Sequence, residues 1–224
     1  MRELYHEELD SITDGLVEMA NLAGSAVGRA TTALLDADLR LAEDVISGDE
    51  TIDALHRTLE QRAITLLARQ QPVATDLRLV VTSLGMSAAL ERSGDLAQHV
   101  AKLARLRHPG CAVPLDLRGT IQEMGELAQS LMARAAEVLV SHDVDLALRM
   151  ERDDDRMDEL HSTIFRHLMD DRWQHGAEAA VDATLAGRYY ERFGDHAVTV
   201  ARDVVYLVTG EHAEDLPPAA PVAT

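Results

Sequence analysis

Glu91-Arg92-Ser93-Gly94-Asp95 returns as Glu191-Arg192-Phe193-Gly194-Asp195, 100 residues further along the chain. A second pair of segments matches in the same order. Residues 49–56 correspond to residues 154–161, each with an acid at its first and fifth positions and a histidine at its eighth. Two matches in one order indicate an internal duplication of about 100 residues. The chain of 224 residues is therefore predicted to consist of two similar halves.

Around these segments Leu, Ala, Val and Met recur at three- or four-residue steps, which is the pattern of amphipathic helices. We find no run of alternating β-branched residues between turns, as strands would require. The sequence therefore predicts an all-α protein of two tandem, pseudo-symmetric three-helix bundles. The predicted helices cover about residues 2–35, a second segment that ends at Gln70 before Pro72, and residues 74–107, 115–141, 144–173 and 176–209.

The segment from His108 to Pro114 marks the strongest break in composition, since it contains two prolines and a glycine in seven residues. It divides the chain into a first bundle, residues 1–108, and a second bundle, residues 115–210. The last residues, 211–224, are rich in proline and alanine, and we expect a disordered tail there.

The formal net charge of −18 restricts the classes of partner. Such acidity disfavours nucleic acid, because binding to it depends on neutralising phosphates, and it disfavours anionic membranes for the same reason. The single cysteine, Cys111, rules out an intrachain disulfide and fits a reducing compartment. The N-terminus is too polar for a signal peptide, and no apolar run approaches about 20 residues, so we expect a cytoplasmic protein without membrane insertion.

Each half carries two acid pairs at a spacing of four residues, which places both carboxylates on one helix face. Like charges at this spacing repel each other, so four matched pairs suggest that a cation offsets the cost. Oxygen ligands with added imidazole suit iron or zinc, with magnesium or manganese as alternatives. The candidate metal ligands are Asp49, Asp53, Glu91, Asp95, Asp154, Asp158, Glu191 and Asp195, with His56, His99 and His161 as further candidates.

The helix periodicity also predicts where these acids point. Glu91 and Asp95 lie well away from the apolar side of their helix, so we expect the acids in a groove or on the surface, outside the main core. Thr199 replaces His99 in the second half, and any metal site there should differ. The competing interpretation is a set of solvated acidic faces, paired locally with Arg92 and Arg192.

The stretch Arg69-Gln70-Gln71-Pro72-Val73-Ala74-Thr75-Asp76-Leu77-Arg78, followed by the duplicated Glu-Arg-x-Gly-Asp, resembles the PhoU family of bacterial phosphate-uptake regulators. The resemblance covers nearly the whole chain apart from the tail. It implies two three-helix bundles and metal clusters held by the four acid pairs. It also implies a negative regulator of the phosphate-starvation response that couples the phosphate ABC transporter, through its ATPase, to a sensor histidine kinase. We expect a homodimer that is not an enzyme.

Two other functions stay open at this point. Asp53-x-x-His56 and Asp158-x-x-His161 are weakly similar to the Glu-x-x-His motif of ferritin-like di-metal carboxylate enzymes. Those enzymes, however, take two such motifs from one four-helix bundle, whereas each half here has three predicted helices and one motif. The second alternative is a helical scaffold that binds no metal.

Overall fold

The computed structural model describes residues 2–216, and within them it contains helices and no strand. The all-α prediction is therefore confirmed. None of the helices along these residues is both long and apolar enough to cross a membrane. The elements are α1 (Arg2–Asp36), α2 (Leu39–Gln70), α3 (Ala74–Arg107), α4 (Arg118–Ser141), α5 (Val144–Leu168), α6 (Gly176–Thr209) and the short 3-10 helix η1 (Ala213–Asp215).

Equivalent aspartates begin the middle helix of each half. Asp38 caps α2 by accepting the Leu41 amide at 3.0 Å, and Asp143 caps α5 by accepting the Leu146 amide at 2.9 Å. Each carboxylate satisfies one of the free amides at a helix N-terminus. The two halves therefore use the same local signal at matching positions.

Three predicted boundaries differ from the structure. Helix α4 begins at Arg118 because the chain first turns after Pro114, whose carbonyl accepts the Leu117 amide. Helix α5 ends at Leu168, and Trp173 lies in the following turn, where its indole N–H donates to the Gly176 carbonyl. In the expected tail, residues 211–216 form a turn and η1, whereas residues 217–224 lie outside the described part of the chain. Disorder there stays a prediction.

Helices α1–α3 form one three-helix bundle and α4–α6 form the other. The bundles pack through α1 against α4 and through α3 against α6, and their apolar side chains form one continuous core. Helix α2 packs on α1 and α3, while α5 packs on α4 and α6. The acid pairs predicted from sequence therefore lie along the α2–α3 and α5–α6 contacts.

Polar contacts also join the two bundles. Tyr190 and Thr31 approach at 2.8 Å between their hydroxyl oxygens, and both residues are buried. Since Thr31 donates its own proton to the Val27 carbonyl, Tyr190 is the donor. At the α3–α6 contact, Arg107 donates to both carboxylate oxygens of the buried Asp182, at 2.6 and 3.1 Å. The halves are thus coupled by specific buried bonds as well as by apolar area.

We predict that Tyr190→Phe lowers the free energy of unfolding by about 1 kcal/mol, because one buried inter-bundle hydrogen bond is lost. Urea denaturation measures the change. Tyr189→Phe is the control, since the neighbouring Tyr189 ring stacks on His99 and its hydroxyl makes no hydrogen bond among the described residues. Equal effects of the two variants would contradict the importance of this bond.

A second prediction concerns Asp203 of α6, which packs over Gly85 of α3. The pKa of Asp203 is raised to about 6, because burial raises it and the charge of His212 only partly opposes the rise. The folded state therefore binds more protons than the unfolded chain between about pH 4 and 6, so stability falls as the pH rises across this range and levels off above it. Asp203→Asn should stabilise the protein by about 2 kcal/mol above pH 7 and have little effect near pH 4.

Chemical denaturation of parent and Asp203→Asn protein at several pH values checks this sign. The parent is the reference at every pH, so the other titrating groups cancel in the difference. A stability difference that is the same at pH 4 and above pH 7 would show that Asp203 is not responsible.

Candidate metal centre

The structure brings the four acids of the first half together at the α2–α3 contact. We call Asp49, Asp53, Glu91 and Asp95 the first acidic cluster. The pKa of Asp49 is raised to about 6, first by burial and then by the negative charges of Asp53, Asp95 and Glu91, in that order. Burial, then Asp95, also raises the pKa of Glu91. The four carboxyls therefore act on one another electrostatically.

The second half repeats this arrangement at the α5–α6 contact. The second acidic cluster consists of Asp154, Asp158, Glu191 and Asp195. The pKa of Asp154 is raised to about 7, first by burial and then by the negative charges of Asp195, Asp158 and Glu191. The duplicated sequence therefore gives each half a cluster of four carboxyls that interact electrostatically.

One acid is more buried than the helix faces predicted, whereas Asp158 and Asp195 are exposed as expected. Asp49 is only 8% exposed, and its carboxylate points from α2 onto α3 at Gly94. A Cβ atom at Gly94 would lie 2.7 Å from Asp49 Oδ1, and a Cβ atom at Gly194 would lie 2.6 Å from Asp154 Oδ1. Both distances are too short for real contacts, so the glycine of the repeated motif provides the space for a carboxylate. Helical periodicity missed this because the partner helix, and not the acid's own helix, determines the burial.

Two of these buried oxygens have no hydrogen-bond partner within the described residues. Asp49 Oδ1 and Asp154 Oδ1 are both shielded from solvent and unpaired, as is His161 Nε2. A buried polar atom without a partner costs free energy, and such atoms are rare in folded proteins. A proton or a cation would satisfy the carboxylates, which agrees with the upward shifts of their pKa values.

Basic side chains partly neutralise the clusters. Arg92 lies 3.2 Å from Asp95 and 3.7 Å from Glu91, as the sequence suggested for local pairing. In the second half, Arg188 and not Arg192 pairs with Glu191. The charge of Lys102 opposes the upward shift of the Asp49 pKa. Arg188 and Lys102 are not among the residues predicted from the sequence, although both lie at helical spacing from the acid pairs.

The three candidate histidines differ in their surroundings. His56 Nδ1 lies 3.2 Å from Ser87 Oγ, and the charge of His56 acts on Glu91. Burial and Arg188 lower the pKa of His161, whereas Asp158 opposes them. His99 instead stacks on Tyr189 across the α3–α6 contact, with ring centroids 5.2 Å apart. His56 and His161 therefore adjoin the clusters, while the His99 ring is engaged elsewhere.

As the side chains stand, no three Asp, Glu, His or Cys residues between 2 and 216 converge closely enough to hold a metal ion. Several acids are turned towards arginines instead. The chemistry of the donor set nevertheless fits a cation, because each cluster offers four carboxylates with one buried, unpaired oxygen over a glycine. Binding would require Arg92 and Arg188 to release their carboxylates.

Both halves of the chain match a known protein family. A family model described as the PhoU domain matches residues 16–104 and again residues 121–204, one match in each half. The chain is 51% identical over 210 residues to the Mycobacterium tuberculosis phosphate-specific transport system accessory protein PhoU homolog 2, covering 94% of this chain and 99% of that protein. It is 50% identical over 215 residues to homolog 1 of Mycobacterium leprae, covering 96% and 97%.

The fold is also similar to a solved structure. The crystal structure of PhoU from Pseudomonas aeruginosa matches with a TM-score of 0.82 and 30% sequence identity, over 92% of this chain and 100% of that chain. The pair of three-helix bundles predicted from the sequence is therefore confirmed by the helix order and by this likeness.

We predict that Gly94→Ala destabilises the protein by about 1–3 kcal/mol, because the new methyl group would collide with Asp49 and with Ile52 Cδ1, 2.9 Å away. Helix propensity alone would predict the opposite change in stability, because alanine favours a helix more than glycine does. Gly48→Ala is the matched control: it lies in α2, is exposed and has no atom within 4 Å of a Cβ position. It should stabilise the protein by up to about 1 kcal/mol. Thermal and urea unfolding of both variants measure this, and stabilisation by Gly94→Ala would refute the close approach.

Proposed function

The chain belongs to the PhoU family, and on that basis we propose that it is a cytoplasmic accessory protein of phosphate transport that represses the phosphate-starvation response. The observation that carries the proposal is the likeness over 94% of the chain to a protein named as a phosphate-specific transport system accessory protein. Its partners would be the ATPase of the phosphate ABC transporter and a sensor histidine kinase. It would act as a homodimer, by binding and not by catalysis.

The surface chemistry supports binding to a partner protein. A net charge of −18 favours docking onto basic patches, and charge complementarity of this kind raises association rates and excludes wrong partners. The two bundles present long helices joined by one core, which gives a stable surface for docking. The chain would report phosphate sufficiency from the transporter to the kinase through this surface.

We propose a structural role for metal in this activity. The first acidic cluster would hold one metal group and the second acidic cluster another, with His56 and His161 as nearby imidazoles. Iron or zinc suits a mixed set of oxygen and nitrogen donors, and magnesium or manganese suits the carboxylates alone. A bound cation would neutralise carboxylates on two helices and stabilise the docking-competent form by its binding free energy.

The experiment combines metal content with regulation. Glu91→Ala with Asp95→Ala, and separately Asp49→Ala with Asp53→Ala, should lower the metal bound per chain, as measured by elemental analysis of purified protein. The folded state should persist, since removing like charges relieves repulsion. In cells that lack the gene, phosphate-starvation genes should stay active in phosphate-rich medium, and the variants should restore repression less well than the parent chain.

Asp14→Ala with Glu18→Ala is the matched control, because these exposed acids have the same spacing on α1, a helix that contributes no residue to either cluster. It should keep both metal content and repression. Full repression by a chain that no longer binds the transporter or the kinase would overturn the adaptor function. Oxygen consumption by iron-loaded protein would instead favour the ferritin-like alternative.

A further inference from the structure

A fully buried serine links α3 to a histidine beside the first acidic cluster. Ser87 is 0% exposed, and its hydroxyl oxygen lies 3.0 Å from the Leu84 carbonyl oxygen and 3.2 Å from His56 Nδ1. The hydroxyl has one proton, and a carbonyl can only accept. Both contacts are hydrogen bonds only if Ser87 donates to Leu84 and His56 donates from Nδ1.

This pattern determines which nitrogen of His56 is free. In a neutral imidazole one nitrogen carries the proton and the other a lone pair, so a protonated Nδ1 leaves the lone pair on Nε2. His56 lies three residues after Asp53 on α2, and its charge acts on Glu91 of α3. The free nitrogen therefore belongs to a ring that follows Asp53 by about one helical turn and lies within electrostatic range of Glu91.

The second half has no equivalent of the hydrogen bond between Ser87 and His56. Gly187 occupies the position equivalent to Ser87, 100 residues later, and it offers His161 no hydroxyl. A Cβ atom at Gly187 would lie 3.1 Å from His161 Cδ2, so the backbone passes close to the ring. His161 Nε2 is buried without a hydrogen-bond partner, and the ring packs on Phe165 at 5.0 Å between centroids. The imidazole of the second half is thus confined by packing and not oriented by a bond.

We propose that Ser87 is a positioning residue that makes His56 a nitrogen ligand and gives the first acidic cluster a preference for zinc over manganese. This inference rests on the metal role proposed above and goes beyond it, since it distinguishes the two sites. Histidines that bind metals usually donate their second N–H to a supporting group, and loss of that group weakens binding about 10–100-fold. Nitrogen donors favour zinc, whereas manganese is satisfied by carboxylates.

The test uses the full chain with Glu191→Ala and Asp195→Ala, which leaves the first acidic cluster as the site under study. Zinc and manganese are each titrated by calorimetry into this protein and into the same protein with Ser87→Ala. The zinc dissociation constant should rise about 10–100-fold. The manganese constant should change by less than about threefold, because manganese depends on the carboxylates. Ser87→Thr, which retains a hydroxyl, should recover most of the zinc affinity.

Ser83→Ala is the matched control. Ser83 is also buried on α3 and donates to the carbonyl of Val80, three residues earlier, at 2.8 Å, but it has no histidine partner. It should leave both metal affinities unchanged. A structural defect of Ser87→Ala would weaken zinc and manganese alike, so the ratio of the two constants separates positioning from general damage.

A measurement on metal-free protein tests the inference independently. Nitrogen NMR at about pH 8, where imidazole is neutral, should show His56 protonated at Nδ1 in the parent chain. An Nε2-protonated His56, or equal zinc affinities in the Ser87→Ala and Ser83→Ala proteins, would overturn the role of Ser87 and leave the metal proposal intact. No binding of either metal by the parent chain would overturn the metal proposal and the inference with it.

Discussion

In each half, a buried carboxylate oxygen on one helix contacts a glycine on the neighbouring helix. Each half is arranged around this contact. Asp49 reaches α3 only because position 94 is glycine, and Asp154 reaches α6 only because position 194 is glycine. Each glycine weakens its own helix by roughly 1 kcal/mol relative to alanine. That cost is offset by a helix approach that places acids from two helices side by side.

The result is a concentration of negative charge that the folded protein must neutralise. Four carboxyls share each site, and one oxygen in each is buried without a partner. Protons, arginines and cations are the available counter-charges. Arg92 and Arg188 pair with acids in the structure, and the raised pKa values of Asp49 and Asp154 show that protons would be held there up to about pH 6 and 7. Mutually repelling carboxylates with unpaired oxygens reduce the stability of the folded state unless a counter-charge is present.

The two sites are similar in backbone and different in detail. Their acids and glycines repeat, but the supporting residues Ser87 and Lys102 of the first half have Gly187 and Arg202 at the corresponding positions. Arg202 pairs with Glu151 and lies outside the second acidic cluster. The shared core and the Arg107–Asp182 bond hold the two halves together, so both sites belong to one packed structure.

The sequence by itself determined the helices, the duplication and the eight acids, because these depend on local periodicity and on spacing along one helix. The caps found at Asp38 and Asp143 are equally local, since each carboxylate accepts an amide only three residues away. The end of α5 and the start of α4 were misplaced because turns around Trp173 and Pro114 use hydrogen bonds that periodicity does not encode. Only the tertiary structure decided that Asp49 is buried, that Ser87 orients His56, and that Arg188 replaces Arg192. Each of these depends on a neighbouring helix or on a rotamer, and therefore on distances in space that spacing in the sequence cannot supply.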